Sequence, residues 1–151
     1  CAMSRADRIA GALLGCLIAA GVTMCADARA QTIGAHLGSW HSEPGYNNAN
    51  PGLYLRTAGG WTLGGYRNSV RRDSTYAGWT GGVELATGLR AELTLGAITG
   101  YPAAAVLPLA APSLRICPGN AAGPALRLTL LPKVHPKQGA HVAHLSTEWS
   151  F

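Results

Sequence analysis

Three side chains near the C-terminus have the types and spacing of an ester-cleaving site. His144, Ser146 and Glu148 stand at i, i+2 and i+4. On an extended strand such residues share one face. A serine nucleophile, a histidine base and a carboxylate that orients the base are the parts of an esterase. The same three also suit a second role, filling a barrel lumen and pairing with Arg90 and Arg127 in a structural network. Arg71-Arg72 reads as a solvated loop pair or as a grip for a lipid phosphate. Asn47, Asn48 and Asn50, ahead of Pro51-Gly52, have turn chemistry and amides able to meet sugar or phosphate oxygens. The five histidines are scattered and no Cys-x-x-Cys occurs, so neither a metal site nor a cofactor is expected.

The elements that carry these residues are short strands. The segment 141–151 alternates strictly: His141, Ala143, Leu145, Thr147, Trp149 and Phe151 fall on one face, and Val142, His144, Ser146, Glu148 and Ser150 on the other. Leu126, Leu128 and Leu130 alternate with Ala125, Arg127 and Thr129. Leu89 to Ala97 and Ala77 to Leu85 repeat the pattern, with Arg90, Glu92, Thr94 and Thr80, Glu84 on the polar faces. Further strands are predicted near 32–40, 52–58, 60–68 and 103–116, with Gly59-Gly60 as a tight turn. The segment Tyr101–Pro112 is almost wholly apolar yet holds Pro102, Pro108 and Pro112, which excludes a membrane helix. As a strand it is either frayed or bulged, or a weak seam in the wall through which a lipid tail passes sideways.

Composition narrows the class. The chain of 151 residues is 48% hydrophobic but only 13% charged, against about 25% in ordinary soluble proteins. Mean hydropathy is only +0.13, too low for a helical membrane protein. Arg5 and Arg8 follow Met3, an apolar run spans Ile9 to Val22, and Ala28-Arg29-Ala30 offers a cleavage site. This is the three-part pattern of a secretory signal. The alternatives are an uncleaved anchor and a lipoprotein. Met24 before Cys25, and the place of Cys16 inside the apolar run, argue against lipidation. Residues 1–30 are therefore expected to be a cleaved signal peptide and 31–151 one domain. That domain keeps Cys117 alone among four cysteines, so it has no internal disulfide. Its net charge is positive without a long basic run, which fits an anionic lipid surface better than nucleic acid.

Alternation does not choose between a soluble sandwich, apolar inside, and a membrane barrel, apolar outside. Three features favour the barrel. The chain is read as exported. It ends in Trp149-Ser150-Phe151, an aromatic terminus resembling that of bacterial outer-membrane barrels. Trp40, Tyr54, Trp61, Tyr76, Trp79, Tyr101 and Trp149 lie near predicted strand ends, as in aromatic girdles. The expected fold is all-β, an eight-stranded antiparallel transmembrane β-barrel in a bacterial outer membrane, acting as a monomer.

From Ser39 to Phe151 the chain resembles the lipid A palmitoyltransferase (PagP) family of outer-membrane acyltransferases. The resemblance rests on Trp40-His41, Tyr46-Asn47 with Pro51-Gly52, Asn68-Ser69 followed by Ala77-Gly78-Trp79, Val106-Leu107-Pro108-Leu109-Ala110 and the terminal Phe151. It implies that His41 and Ser69 are the family's essential histidine and serine, at one rim of the barrel. It further implies that an acyl chain passes from a phospholipid to a hydroxyl of lipid A, the lipid anchor of lipopolysaccharide. His41 would act as general base, Ser69 would position substrate or oxyanion, and Arg71 and Arg72 would bind the substrate. The sequence departs from the family in three places. Asn68 stands where the family has Asp, leaving Asp73 or Glu43 to supply a carboxylate. The family's N-terminal amphipathic helix has no counterpart after Gln31. Thr80 replaces the glycine at the floor of the acyl slot and would shorten it. The alternatives are a deacylase working through His144, Ser146 and Glu148, which resemble the His-x-Ser pair and Glu of the lipid A 3-O-deacylases, and a non-enzymatic structural or adhesive barrel. An enzyme needs His41, Asn68 and Ser69 to converge above an apolar slot; a structural barrel needs only a closed polar lumen.

Overall fold

A computed structural model describes residues 31–118, 123–133 and 140–151. Residues 1–30 and His135, and the expectations that concern them, lie outside the described residues. Eight antiparallel strands form the fold: β1 (Thr32–His41), β2 (Ala49–Arg56), β3 (Trp61–Arg67), β4 (Asp73–Ala86), β5 (Leu89–Thr99), β6 (Val106–Ile116), β7 (Gly123–Leu131) and β8 (Val142–Ser150). Each pairs with the next in sequence, and β1 pairs with β8, which closes the sheet into a barrel. Closure leaves no free edge strand. At the end that carries Thr32 and Ser150 the connections are tight. Gly60 (φ +90°) and Gly88 (φ +76°) turn the chain there with left-handed backbone that side chains disfavour. The opposite end carries the segments 42–48, 68–72 and 100–105 and residues 132–133 and 140–141, and is called the loop end. His141 lies at the loop end, where its carbonyl accepts from Ser42 N at 3.0 Å.

The two faces of the wall have opposite character. Outward are Leu53, Val83, Leu93, Leu95, Leu126, Leu130 and Leu145 together with all four tryptophans. Inward and buried are Thr62, Thr80, Glu92, Thr94, Ser113, Arg115, Arg127, Ser146 and Glu148. This is the reverse of a soluble barrel. Trp40, Trp61, Trp79 and Trp149 are exposed on the outer face, as a girdle would require, and the tyrosines are not. Tyr54 and Tyr76 point into the lumen and are buried, because each hydroxyl finds a partner there: Glu148 for Tyr54 at 2.6 Å and His36 for Tyr76 at 3.0 Å. Tyr101 likewise meets Tyr66, at 3.1 Å.

The half of the lumen nearer the termini is filled by ions. Glu148, only 2% exposed, receives Arg115 Nε at 2.6 Å, Arg56 Nη2 at 3.0 Å, Arg127 Nη1 at 3.3 Å and the Tyr54 hydroxyl. Glu92 shares Arg56 at 3.0 Å and Arg127 at 3.4 Å. Arg127 also donates to Ser113 and Thr94, and Arg115 to Ser150. Thr80 bridges Thr62 at 2.9 Å and Thr94 at 2.8 Å. Buried charges persist only when paired and hydrogen-bonded, and this cluster meets both conditions. Arg127 joins it, as the alternation of β7 implies. Arg90 stays at its margin with Glu84 and Glu92, and Arg56 and Arg115 take the positions closest to Glu148.

Two irregularities shape the loop end. In β1 the register with both neighbours slips between His36 and Gly38. Against β8 Leu37 is an extra residue, a β-bulge. Against β2 the extra residue falls on β2, where Asn50 and Pro51 stand between the partners of Gly38 and His36. Such a slip reverses the in–out phase of the β1 residues beyond it. Before it, Gly34 and His36 face inward; after it, Ser39 and His41 do, while Trp40 faces out. Without the slip the same residues would carry His41 to the outer wall. The second irregularity is in β6. Its ladder with β5 runs unbroken from Leu89↔Ile116 to Thr99↔Val106, whereas its ladder with β7 covers only Ser113↔Thr129 to Ile116↔Leu126. An antiparallel strand addresses its two neighbours with alternate residues. Pro108 and Pro112 interrupt nothing on the β5 side, so their missing N–H groups face β7.

Candidate functional site

Above the ion cluster lies a cavity of about 90 Å³ at the loop end. Its lining combines His36, His41, His144, Tyr54, Tyr66 and Tyr76 with the hydroxyls of Ser39, Ser69 and Ser146. Leu109 and Ala111 of β6 and Thr129 and Leu131 of β7 complete it, so the cavity is bounded by the two strands whose ladder is incomplete.

The bulge delivers His41 to this cavity, and the 42–48 segment fixes its ring. Nδ1 donates to Asn48 Oδ1 at 2.7 Å, and the ring stacks on Tyr46 with centroids 5.0 Å apart and planes 17° from parallel. His41 is 8% exposed. Its Nε2 is buried and is the one buried side-chain nitrogen or oxygen among the described residues that lacks a hydrogen-bond partner. Buried polar atoms are rarely left so, and an orphan of this kind calls for a ligand, a water or a reaction. With Asn48 accepting from Nδ1–H, Nε2 is the ring's basic nitrogen.

The other sequence candidates divide. Ser69 lines the same cavity as His41. Asn68 does not bond to His41. It is fully buried and ties the 68–72 loop together, donating to Ser74 Oγ at 2.9 Å and Gly100 O at 3.0 Å and accepting from the Val70 and Arg72 amides. Its loop then places Ser69, whose carbonyl accepts from Asn47 N at 2.8 Å. Asp73 pairs with Arg67 and Glu43 with Lys133, so neither carboxylate takes the place of the family's Asp. Asn48, whose spacing suggests turn chemistry, is the residue that holds the histidine. Arg71 and Arg72 are both exposed at the loop end, Arg71 with φ of 60°. Thr80 lies outside this cavity, in the threonine bridge beneath it, where it faces the mouth at the termini.

His144, Ser146 and Glu148 all point inward, but their partners differ. His144 Nε2 bonds to His36 Nδ1 at 2.8 Å, and Glu148 is held by Tyr54 and three arginines. No bond joins Glu148 to His144, so the carboxylate does not orient that imidazole. No group of three or more His, Cys, Asp or Glu able to hold a metal occurs among the described residues. Tyr54, Tyr66 and Tyr76 pack on the inner face with Ile98, Leu107 and Leu109. Neither the protein-family models nor the curated proteins contain a match to this chain.

Proposed function

We propose that this chain is an outer-membrane enzyme that moves an acyl chain from a phospholipid to lipid A or a similar outer-leaflet lipid. The observation that carries the reading is His41: an oriented imidazole that lines a cavity and whose basic nitrogen is buried and unpartnered. The apolar outer wall supports placement in a bilayer, and the stretch of β6 without a β7 partner among the described residues supports a lateral path for lipid. In the reaction, His41 Nε2 takes the proton of the acceptor hydroxyl. The hydroxyl oxygen attacks the donor ester carbonyl, and the oxyanion that forms is within the reach of the Ser69 loop. Collapse breaks the donor ester bond, and the departing lysophospholipid oxygen takes the proton back from His41. No oxidant, metal or cofactor is consumed.

The closed ion cluster supports a second reading, a structural barrel whose lumen does no chemistry. Mass spectrometry of lipid A from cells expressing the chain separates the two. A gain of one acyl mass that vanishes in His41→Ala and Ser69→Ala is the expected result. An unchanged lipid A, with the protein folded in the outer membrane, selects the structural barrel; a loss of one acyl mass selects deacylation.

A further inference from the structure

The ion cluster in the lumen does not balance its own charge. Arg56, Arg115 and Arg127 bring three positive charges. Glu92 and Glu148, the carboxylates they meet among the described residues, bring two negative ones. All five side chains belong to residues at least nine-tenths buried. The remaining carboxylate side chains of 31–151 are committed elsewhere. Glu43 and Asp73 pair with Lys133 and Arg67 at the loop end, and Glu84 pairs with Arg90. Arg90 also approaches Glu92, at 3.6 Å, so Glu84 and Arg90 cancel and supply no spare negative charge. A buried charge without a counter-charge is costly, so the excess of one positive charge calls for an anion from outside the chain.

The cluster is reachable from one side. At the end that carries Thr32 and Ser150 a cavity of about 790 Å³ opens, lined by Arg56, Arg90, Arg115, Glu84, Glu92 and Ser150 among others. The wall is uneven there. β3 begins at Trp61 opposite Trp79, whereas β4 runs on to Ala86 paired with β5 alone. The β4–β5 hairpin therefore overhangs one side of the mouth and leaves the β2–β3 side low. Arg56 Nη2 and Arg115 Nε converge on one carboxylate oxygen, Glu148 Oε2, at 3.0 and 2.6 Å, so the two guanidinium groups are neighbours. Arg56 Nε and Arg115 Nη1 have no partner among the described residues. Neither is a buried orphan, so both face the cavity. Neighbouring planar forks with spare N–H groups suit the oxygens of a phosphate better than a spherical anion, because one fork can hold two oxygens at once.

We propose that the mouth at the termini binds a phosphate group on Arg56 and Arg115, as the counter-ion that completes the lumen cluster. The site lies at the opposite end of the barrel from His41 and owes nothing to the chemistry there. Free phosphate and a phospholipid headgroup are two sources of the same group.

The test is a titration of the purified full-length barrel in dodecyl maltoside, a phosphate-free detergent, at a constant ionic strength of about 0.15 M. The arginine Nε–H resonances are followed by NMR. Inorganic phosphate is one probe and dihexanoyl phosphatidylglycerol the other. Saturable shifts at Arg56 and Arg115, with Arg71 and Arg72 unmoved, are the expected result. Saturation by inorganic phosphate identifies a soluble ligand; saturation by the lipid alone identifies a headgroup. Ser150→Asp puts the missing negative charge beside Arg115, whose Nη2 donates to the Ser150 hydroxyl at 2.9 Å, and should weaken binding by at least about tenfold. Thr87→Asp adds the same charge at an exposed position on the rim of the mouth and serves if Ser150→Asp fails to fold. No shift with either probe, shifts of equal size at Arg71 and Arg72, or undiminished binding in the folded acidic variant overturns the inference. None of these outcomes bears on acyl transfer at His41.

Discussion

Removing the Glu148 carboxylate should unfold the barrel more effectively than any other single truncation in the lumen. Glu148 meets three guanidinium groups at 2.6, 3.0 and 3.3 Å and accepts the Tyr54 hydroxyl at 2.6 Å. At an effective dielectric of about 20, each charge pair attracts by about 4 kcal/mol. Most of that attraction offsets the desolvation of both partners. What counts in a truncation is the guanidinium groups left behind, and breaking a buried pair costs about 3–5 kcal/mol. The Tyr54 hydroxyl loses its acceptor, which adds about 1–3 kcal/mol. Glu148→Ala should therefore cost about 4–8 kcal/mol, a large share of the roughly 5–15 kcal/mol of a typical domain. Glu148→Gln, which keeps the shape and an acceptor for Tyr54, should cost about 3 kcal/mol. Urea unfolding in lipid vesicles, followed by the fluorescence of the outward-facing tryptophans, reads the difference. With a slope of about 2 kcal/mol per molar, the midpoint for Glu148→Ala should fall by about 2–4 M. A fall of less than about 0.5 M in both variants would refute the reasoning, because it would mean that water already solvates the guanidinium groups.

Deleting Leu37 takes out the extra residue and leaves Ser39 and His41 inward on a regular strand, so acyl transfer should persist. Deleting Leu37 and Gly38 together turns His41 to the outer wall and should lower it by about 10²–10⁴, the usual contribution of a general base, in a lysophospholipid-release assay. Thr80→Val leaves Thr62 and Thr94 without their bridging hydroxyl and should cost about 1–3 kcal/mol in the same urea titration with turnover unchanged. Replacing Pro108 and Pro112 together by Val returns two N–H donors toward β7; if each new bond is worth about 0.7 kcal/mol, the open seam is populated about tenfold less and turnover drops in proportion. In planar bilayers the wild-type barrel should pass no ionic current, since Arg56, Arg115, Arg127, Glu92 and Glu148 occupy its lumen; steady single-channel steps would contradict a closed lumen.

The strands that carry strict alternation are legible in the sequence because the inverted faces need the same period as ordinary ones. β4, β5, β7 and β8 have the inward and outward residues that their sequences announce. β1 is not legible past His36, because a bulge is a tertiary slip of register with both neighbours and Leu37-Gly38 carries no local mark of it. The same slip hides the way in which His41 reaches the lumen. Arg56 and Arg115 escape notice as partners of Glu148 because they lie at the ends of short or proline-bearing strands, where alternation is weak. Position along the chain assigns Tyr54 and Tyr76 to girdles; hydroxyl partners in the lumen outweigh that position. Asn48 has the local pattern of a turn, and its bond to His41 spans the 42–48 segment in a way no spacing rule encodes. The seam at β6 is visible as three prolines in an apolar run, though which neighbour loses its bonds depends on the register.

The central claim is that His41 serves as the base for attack on a lipid ester. The most direct measurement is lysophospholipid release by the purified barrel in phospholipid vesicles containing lipid A, for wild type beside His41→Ala, with both shown folded. Lysophospholipid forms whether the acyl chain goes to lipid A or to water, so the assay isolates the step assigned to His41. Release by wild type and a loss of at least about a hundredfold in His41→Ala is the predicted result. Equal release from the two proteins, or none from wild type, would contradict the account.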